Sequence, residues 1–147
     1  MIEKIGDIWE YHDKGYWIVI PTNMTLNKYS FSVMGKGLAF EAKQRYASLP
    51  YEYGKHIFSI NKNKVFPVAR YRLFLFPTKD YVFSDSKIKI IENSIFSLVT
   101  LVNIYNIDCV YLPKVGCGSG KLFWEDVRPV LSSLLDDRFI IITGKKE

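Results

Sequence analysis

Four short runs of consecutive apolar residues punctuate the chain: Trp17-Ile18-Val19-Ile20, Leu73-Phe74-Leu75-Phe76, Cys109-Val110-Tyr111-Leu112 and Phe139-Ile140-Ile141-Ile142. Runs that are apolar at every position, rather than at every second one, fit strands covered on both faces. Helical spacing fills the intervals. The first predicted helix spans about Gly37 to Leu49, with Leu38, Ala42, Tyr46 and Leu49 on one face and Pro50 as its stop. The second follows Ser84-Asp85-Ser86, where Ile88, Ile91, Ile95, Leu98, Val102 and Tyr105 recur at steps of three and four. The third carries Val127, Val130, Leu131 and Leu134. Pro129 lacks an N–H, which places it in the first turn and puts the helix start near Glu125. Ile57 to Ile60 and Val65 to Val68, separated by Asn61-Lys62-Asn63-Lys64, read as a hairpin or an excursion at a sheet edge. Strands alternating with helices predict an α/β layered domain around a mostly parallel sheet. No repeat, low-complexity tract or linker divides the chain, so a single domain over residues 1–147 is expected.

Composition narrows this picture only slightly. A chain of 147 residues with 48% hydrophobic and 24% charged residues has the balance of an ordinary globular protein able to bury a core. A formal net charge of +5 favours anionic ligands through the general field. The lysines are scattered, without the block of like charge that marks a dedicated nucleic-acid stripe. Cys109 sits in an apolar run and reads as a core residue, and the two cysteines form neither a disulfide framework nor a zinc pattern. His12 and His56 have no nearby cysteine, so no metal site is expected. The start, Met1-Ile2-Glu3-Lys4-Ile5-Gly6-Asp7, lacks the apolar core of a signal peptide, and no run reaches the ~18 apolar residues of a membrane span. A cytoplasmic protein without membrane attachment is the expectation.

The chemistry concentrates in segments that leave the predicted strands, where parallel α/β sheets bind their ligands. Gly116-Cys117-Gly118-Ser119-Gly120 lies between the third apolar run and the third helix. Its alternating glycines permit a tight turn and a close backbone approach, and such a turn presents amide donors to an anion. Met34-Gly35-Lys36-Gly37 opens the first helix and is a second candidate cradle. Pro21-Thr22-Asn23 and Phe76-Pro77-Thr78-Lys79-Asp80 follow the first and second runs. No histidine accompanies Cys117, which argues against a thiol nucleophile.

Taken in order, Gly6-Asp7-Ile8-Trp9, Thr22-Asn23, Met34-Gly35-Lys36-Gly37-Leu38-Ala39, Phe76-Pro77-Thr78-Lys79 and Leu112-Pro113-Lys114-Val115-Gly116-Cys117-Gly118-Ser119-Gly120-Lys121-Leu122 resemble the macrodomain family. The likeness is greatest to the branch of terminal ADP-ribose glycohydrolases and of antitoxins that remove ADP-ribose from DNA. Small phage-encoded macrodomains look similar. The resemblance implies a three-layer α/β/α fold with a central mixed, mostly parallel sheet. It further implies that ADP-ribose is bound, and released from a modified protein, nucleic acid or small ester, by a monomer needing no cofactor. Asp7 would accept from the adenine amino group, with the Ile8 backbone beside it. Thr22 and Asn23 would lie near the distal ribose. Gly35, Lys36 and Gly37 would wrap the ribose and pyrophosphate from one side, and Gly116, Cys117, Gly118, Ser119, Gly120, Lys121 and Leu122 from the other. Lys79 would act at the anomeric carbon. Some relatives carry an aspartate in the second glycine loop, where this chain has Gly120. A phosphatase acting on ADP-ribose 1″-phosphate and a non-catalytic reader are the alternative readings.

Overall fold

The computed structural model describes residues 1–59 and 64–144. Six strands form one sheet: β1 (Ile2–Ile5), β2 (Trp17–Asn23), β3 (Phe66–Val68), β4 (Leu73–Lys79), β5 (Val110–Leu112) and β6 (Phe139–Thr143), in the spatial order β1-β6-β5-β2-β4-β3. Every pairing is parallel except that of the edge strand β3, which runs antiparallel to β4. The helices are α1 (Ile8–Asp13), α2 (Gly37–Arg45), α3 (Leu49–Ser59), α4 (Ile88–Ile104) and α5 (Trp124–Leu134).

The continuous apolar runs follow from coverage on both faces. Ile18, Ile20, Leu73 and Leu75 pack with residues of α1, α2 and α3, while Val19, Phe74, Phe76 and Ile141 pack with α4 and α5. Successive strand residues alternate between these two cores because strand side chains alternate in direction. The result is the expected three layers around a mixed, mostly parallel sheet.

Several boundaries differ from the sequence reading, each for a physical reason. The first predicted helix is two helices. α2 ends at Arg45, and Tyr46 leaves helical geometry at φ −135°. Pro50 is the second residue of α3 and helps to start it, since the donor it lacks has no intrahelical acceptor there. Of the segment expected as a hairpin or an excursion at a sheet edge, residues 57–59 belong to α3 and are not a strand, residues 60–63 lie outside the described residues, and Phe66–Val68 is the antiparallel edge strand β3, so the excursion at the sheet edge is present and the first strand of a hairpin is not. Pro129 lies in the second turn of α5, not the first. The carbonyl four residues earlier, left without its helical donor, belongs to exposed Glu125. β1 escaped prediction because Glu3 and Lys4 interrupt it and all four of its residues are exposed.

β2 and β4 continue past their apolar runs, to Asn23 and Lys79. Pro21 therefore lies inside β2, beyond the last β2–β5 pair, Ile18 with Tyr111. These extensions carry Thr22, Asn23, Thr78 and Lys79 to the carboxyl edge of the sheet. Among the described residues no helix is long and apolar enough to cross a membrane.

Candidate functional site

A cleft opens at that edge, between the segment entering α2 and the glycine loop after β5. Thr22, Asn23, Thr78 and Lys79 lie at the strand ends; Val33 to Ala39 form one side and Gly116, Gly118, Ser119 and Gly120 the other. The two glycine segments thus lie at one end of the sheet, as the parallel topology requires.

The glycines divide by cause. Gly116 has φ +78°, and a Cβ there would come within 2.7 Å of Ile91 Cδ1. At Gly120 a Cβ would meet Ser86 Oγ at 2.1 Å. These two are glycines because the loop packs tightly on α4 and its leading segment. Gly35 and Gly118 are different: neither has a positive φ, and a Cβ on either would meet nothing within 4 Å. The fold does not require a glycine at either position, and both face the open cleft. Gly37 needs its φ of +57° to turn into α2.

Between these walls, amide donors are available. The backbone amides of Gly118, Ser119 and Gly120 have no protein acceptor among the described residues, and neither do those of Gly35, Lys36 and Gly37. Pairs of free amides on two facing walls suit an anion with more than one charged oxygen. A hydroxyl chain ties the floor to the wall. Thr22 Oγ1 and Tyr53 Oη lie 2.7 Å apart, Thr78 Oγ1 donates to the Thr22 carbonyl at 3.3 Å, and Ser86 Oγ donates to Thr78 Oγ1 at 3.2 Å. The Ser86 amide in turn donates to the Gly120 carbonyl at 2.9 Å. Burial pushes the Tyr53 phenol far up, so its hydroxyl stays protonated.

Lys79 is only 9% exposed, and among the described residues it has no hydrogen-bond or ion-pair partner. Burial holds its pKa below the ordinary lysine value. The cationic Lys36 and, less strongly, Lys121 press it further down, partly opposed by Asp85. A lysine whose stem is buried and whose amine opens to a cleft among cationic neighbours is the arrangement that makes it available as a nucleophile or base.

The other expected residues are placed less simply. Asn23 lines the cleft, but its Nδ2 donates to the Val33 carbonyl at 2.9 Å and its Oδ1 accepts the Thr25 amide at 2.9 Å, so it pins the segment after β2. Asp7 lies outside the cleft lining; it follows β1, which ends at the same sheet edge, and caps α1, its Oδ1 accepting the Trp9 amide at 2.9 Å. Ile8 is buried against the core. Cys117 packs against the core beneath α4 and α5, its thiol donates to the Val115 carbonyl at 3.5 Å, and burial pushes its pKa up. Leu122 packs in that same core, while Lys121 is exposed and holds a left-handed φ of 65°. The sequence reading missed Ser86 and Thr78 as structural partners of the glycine loop. Ser86 was visible only as part of a helix-start signal, and nothing in sequence brings it next to Gly120.

No family model matches the chain. A protein of Mycobacterium tuberculosis named DNA ADP-ribosyl glycohydrolase is 34% identical over 109 residues, covering 69% of this chain and 31% of the relative. The chain thus spans less than a third of the curated relatives it matches. Among solved structures, the macrodomain of Mycobacterium tuberculosis DarG superposes with a TM-score of 0.80 at 26% identity, covering 98% of this chain and 97% of that one. Thermosipho africanus DarTG, solved in complex with ADP-ribose, superposes with a TM-score of 0.77 at 21% identity, covering 100% of this chain and 43% of that one.

Proposed function

Because the chain belongs to the macrodomain family, we propose that its cleft binds ADP-ribose and that Lys79 releases it from a modified DNA base. The observation that carries this reading is Lys79 itself: buried, unpaired among the described residues, and set between two glycine-lined walls. The amides of Gly35 to Gly37 and of Gly118 to Gly120 receive the two phosphates. The absent side chains at Gly35 and Gly118 let the backbone come close. Asp7 keeps Oδ2 for the adenine amino group while Oδ1 caps α1. Thr22 and Asn23 support the distal ribose by holding the strand end and the following segment in place.

With the phosphates held, C1″ of the distal ribose lies over Lys79. The neutral amine gives its lone pair to C1″ as the bond to the base breaks; the base leaves with that electron pair and takes up a proton. The ribose ring of the adduct then opens, its ring oxygen leaving C1″ with the C–O electron pair and taking the proton of the nitrogen, whose lone pair forms a C1″=N Schiff base; water adds to C1″, the amine departs with a proton, and the ring closes. The balance is one water consumed, one free ADP-ribose and one unmodified base produced. DNA is the substrate in the name of the curated relatives, and that name is what favours a glycohydrolase over a phosphatase, since a 1″-phosphate would stand at the same C1″.

The test is turnover of a panel comprising ADP-ribosylated DNA, glutamate-linked ADP-ribosyl protein, O-acetyl-ADP-ribose and ADP-ribose 1″-phosphate. Lys79→Ala is expected to lose at least about a hundredfold in turnover of the preferred substrate, the lower range for removing a nucleophile or acid–base group. Its affinity for ADP-ribose should stay within about threefold. Borohydride should trap an adduct in wild type and none in Lys79→Ala. Full turnover by Lys79→Ala would overturn the lysine mechanism, and absence of ADP-ribose binding by wild type would overturn the whole reading.

A further inference from the structure

Hydrolysis of an adduct on Lys79 needs a group that holds the attacking water and carries its protons. Three charged side chains act on the Lys79 amine from the segments around it: Lys36 before α2, Lys121 after the glycine loop and Asp85 before α4. The two lysines repel the protonated amine, and Asp85 attracts it. Of the three, only the carboxylate accepts a proton in its charged form. The other candidates are engaged elsewhere. Asp80 follows Lys79 in sequence but pairs with Lys87 at 3.2 Å. The Cys117 thiol is turned to the Val115 carbonyl, and no histidine is among the residues that line the cleft.

The segment that carries Asp85 is fastened across the cleft wall. The Ser84 amide donates to the Tyr81 carbonyl at 3.0 Å, the Ser86 amide to the Gly120 carbonyl at 2.9 Å, and the Lys87 amide to the Thr78 carbonyl at 3.0 Å. Residue 85 is thus held between two anchored neighbours, beside the end of β4 and the glycine loop. Ser86 is buried and lines the cleft. Its Oγ spends its proton on Thr78 Oγ1 at 3.2 Å, so it can offer the cleft only lone pairs. Gly120 leaves room for that hydroxyl, since a Cβ there would lie 2.1 Å from Ser86 Oγ. Asp85 itself is exposed, and its carboxylate has no hydrogen-bond or ion-pair partner among the described residues. An exposed, unpaired carboxylate is hydrated, so it brings water with it.

Resting on the reading of the cleft given above, we propose that Asp85 is the general base for the second half of the reaction, the hydrolysis of the Schiff base between Lys79 and C1″. Once the base has left, water bound by the carboxylate reaches C1″, with the Ser86 hydroxyl as an oriented acceptor beside it. Asp85 takes one proton from the water as its oxygen bonds to C1″. The C=N electron pair passes to nitrogen, and Asp85 hands the proton to that nitrogen. It then moves the remaining hydroxyl proton in the same way. The C1″–N bond breaks with its pair on nitrogen, and the C1″ carbonyl left behind is the one on which the ribose ring closes. Asp85 ends ionised, as it began.

The experiment follows Asp85→Asn by rapid quench on a short ADP-ribosylated DNA oligonucleotide, measuring released DNA and free ADP-ribose separately. Calorimetry gives ADP-ribose affinity, and urea unfolding checks the fold. Asparagine keeps the size of the side chain and takes up no proton. The variant should release a burst of one DNA per protein molecule, the kinetic mark of an accumulating covalent intermediate. Its steady-state turnover should fall by about a hundredfold or more, the range for losing a general base. Borohydride added at steady state should trap a larger fraction of the variant than of wild type. The burst itself should be at least as fast as the first turnover of wild type, and its rise with pH should begin at lower pH, because the charge that attracts the Lys79 proton is gone. Asp85→Glu, which keeps a carboxylate, should retain more turnover than Asp85→Asn. The inference is overturned if Asp85→Asn turns over as wild type does, if DNA release in its first turnover slows along with the steady state, or if its trapped fraction does not rise. Wild type that binds no ADP-ribose, or traps no adduct, marks failure of the cleft reading; wild type that does both beside an Asp85→Asn variant that behaves identically marks failure of this one.

Discussion

Gly116 and Gly118 are two residues apart and have different reasons to be glycine. Gly116 is fixed by its own backbone and by Ile91, since a side chain there would need a left-handed φ of +78° and would press on Ile91 Cδ1. Gly118 has a conformation any residue tolerates and open space where its Cβ would be. A valine at Gly118 would project into the region where a phosphate must approach the loop amides. Gly116→Val is therefore expected to destabilise the fold by at least ~1 kcal/mol, the lower bound for forcing an L-residue into the left-handed region. Gly118→Val is expected to change stability by no more than about 0.5 kcal/mol, as a surface substitution does, while abolishing ADP-ribose binding. Urea unfolding and calorimetry on the two variants separate these effects. If Gly118→Val binds ADP-ribose normally, the loop amides do not receive the phosphates.

Among the elements, the segment from Met24 to Lys36 is gripped at its base by one side chain. Asn23 ends β2 and spans the base of the segment, gripping Thr25 on one side and Val33 on the other. Asn23→Ala removes both bonds in a buried setting, so a loss of about 1–3 kcal/mol follows from leaving the Val33 carbonyl and Thr25 amide without partners. Gly35 and Lys36 would shift with the segment, so ADP-ribose affinity should fall with stability, and chemical unfolding together with calorimetry would register both. A variant that loses affinity while keeping full stability would instead mean that Asn23 touches the ligand. The four core strands and α4 were legible because burial on two faces, or on one helical face, writes itself into consecutive or three-and-four spacing. The break between α2 and α3 was not legible, because Leu38, Ala42, Tyr46 and Leu49 keep helical spacing across a chain that turns at Tyr46. Proline misled twice: Pro50, read as a helix stop, lies in the first turn of α3, and Pro129, read as a first-turn residue, lies in the second turn of α5. Of the cleft, the glycine loops and Lys79 were readable as motifs, whereas Asn23 as a staple, Asp7 as a helix cap and Ser86 as a partner of Gly120 depend on contacts between distant segments.

At the scale of the whole molecule, the parallel sheet directs the ends of β2, β4 and β5 to one edge, and the acid sensitivity of the fold arises on the other side of the same core. His12 is 2% exposed and stacks edge-on to Trp9. Its Nε2 lies 2.7 Å from the Tyr71 carbonyl, which fixes the proton there, and its buried Nδ1 has no partner among the described residues. Burial, with Arg72 and Arg45 nearby, holds its pKa below 6.5, while Tyr71 and Asp13 oppose that shift. Burial lowers the pKa of His56 as well. In both cases the unfolded chain binds a proton more readily than the folded one. Stability is therefore full above pH 6.5, falls as pH drops below it, and stops falling on this account once the folded pKa values are passed. The slope reaches at most about 1.4 kcal/mol per pH unit for each histidine. The exposed pairs Glu3–Arg128 and Asp136–Arg138 lose their contribution only at lower pH, because their carboxyl pKa values are depressed from 4.5 and 3.8. Between pH 6.5 and 5 the histidines thus dominate, and His12→Gln, which keeps a donor for the Tyr71 carbonyl and cannot titrate, should flatten the fall in urea midpoint over that window. The same variant resolves an ambiguity in the pH dependence of turnover. A lysine held below its ordinary pKa gives activity that rises with pH as the amine loses its proton, and acid unfolding also lowers activity at the low end. If His12→Gln restores stability near pH 5.5 while turnover stays low, the remaining limb belongs to Lys79; if turnover recovers with stability, protonation of Lys79 does not limit the reaction.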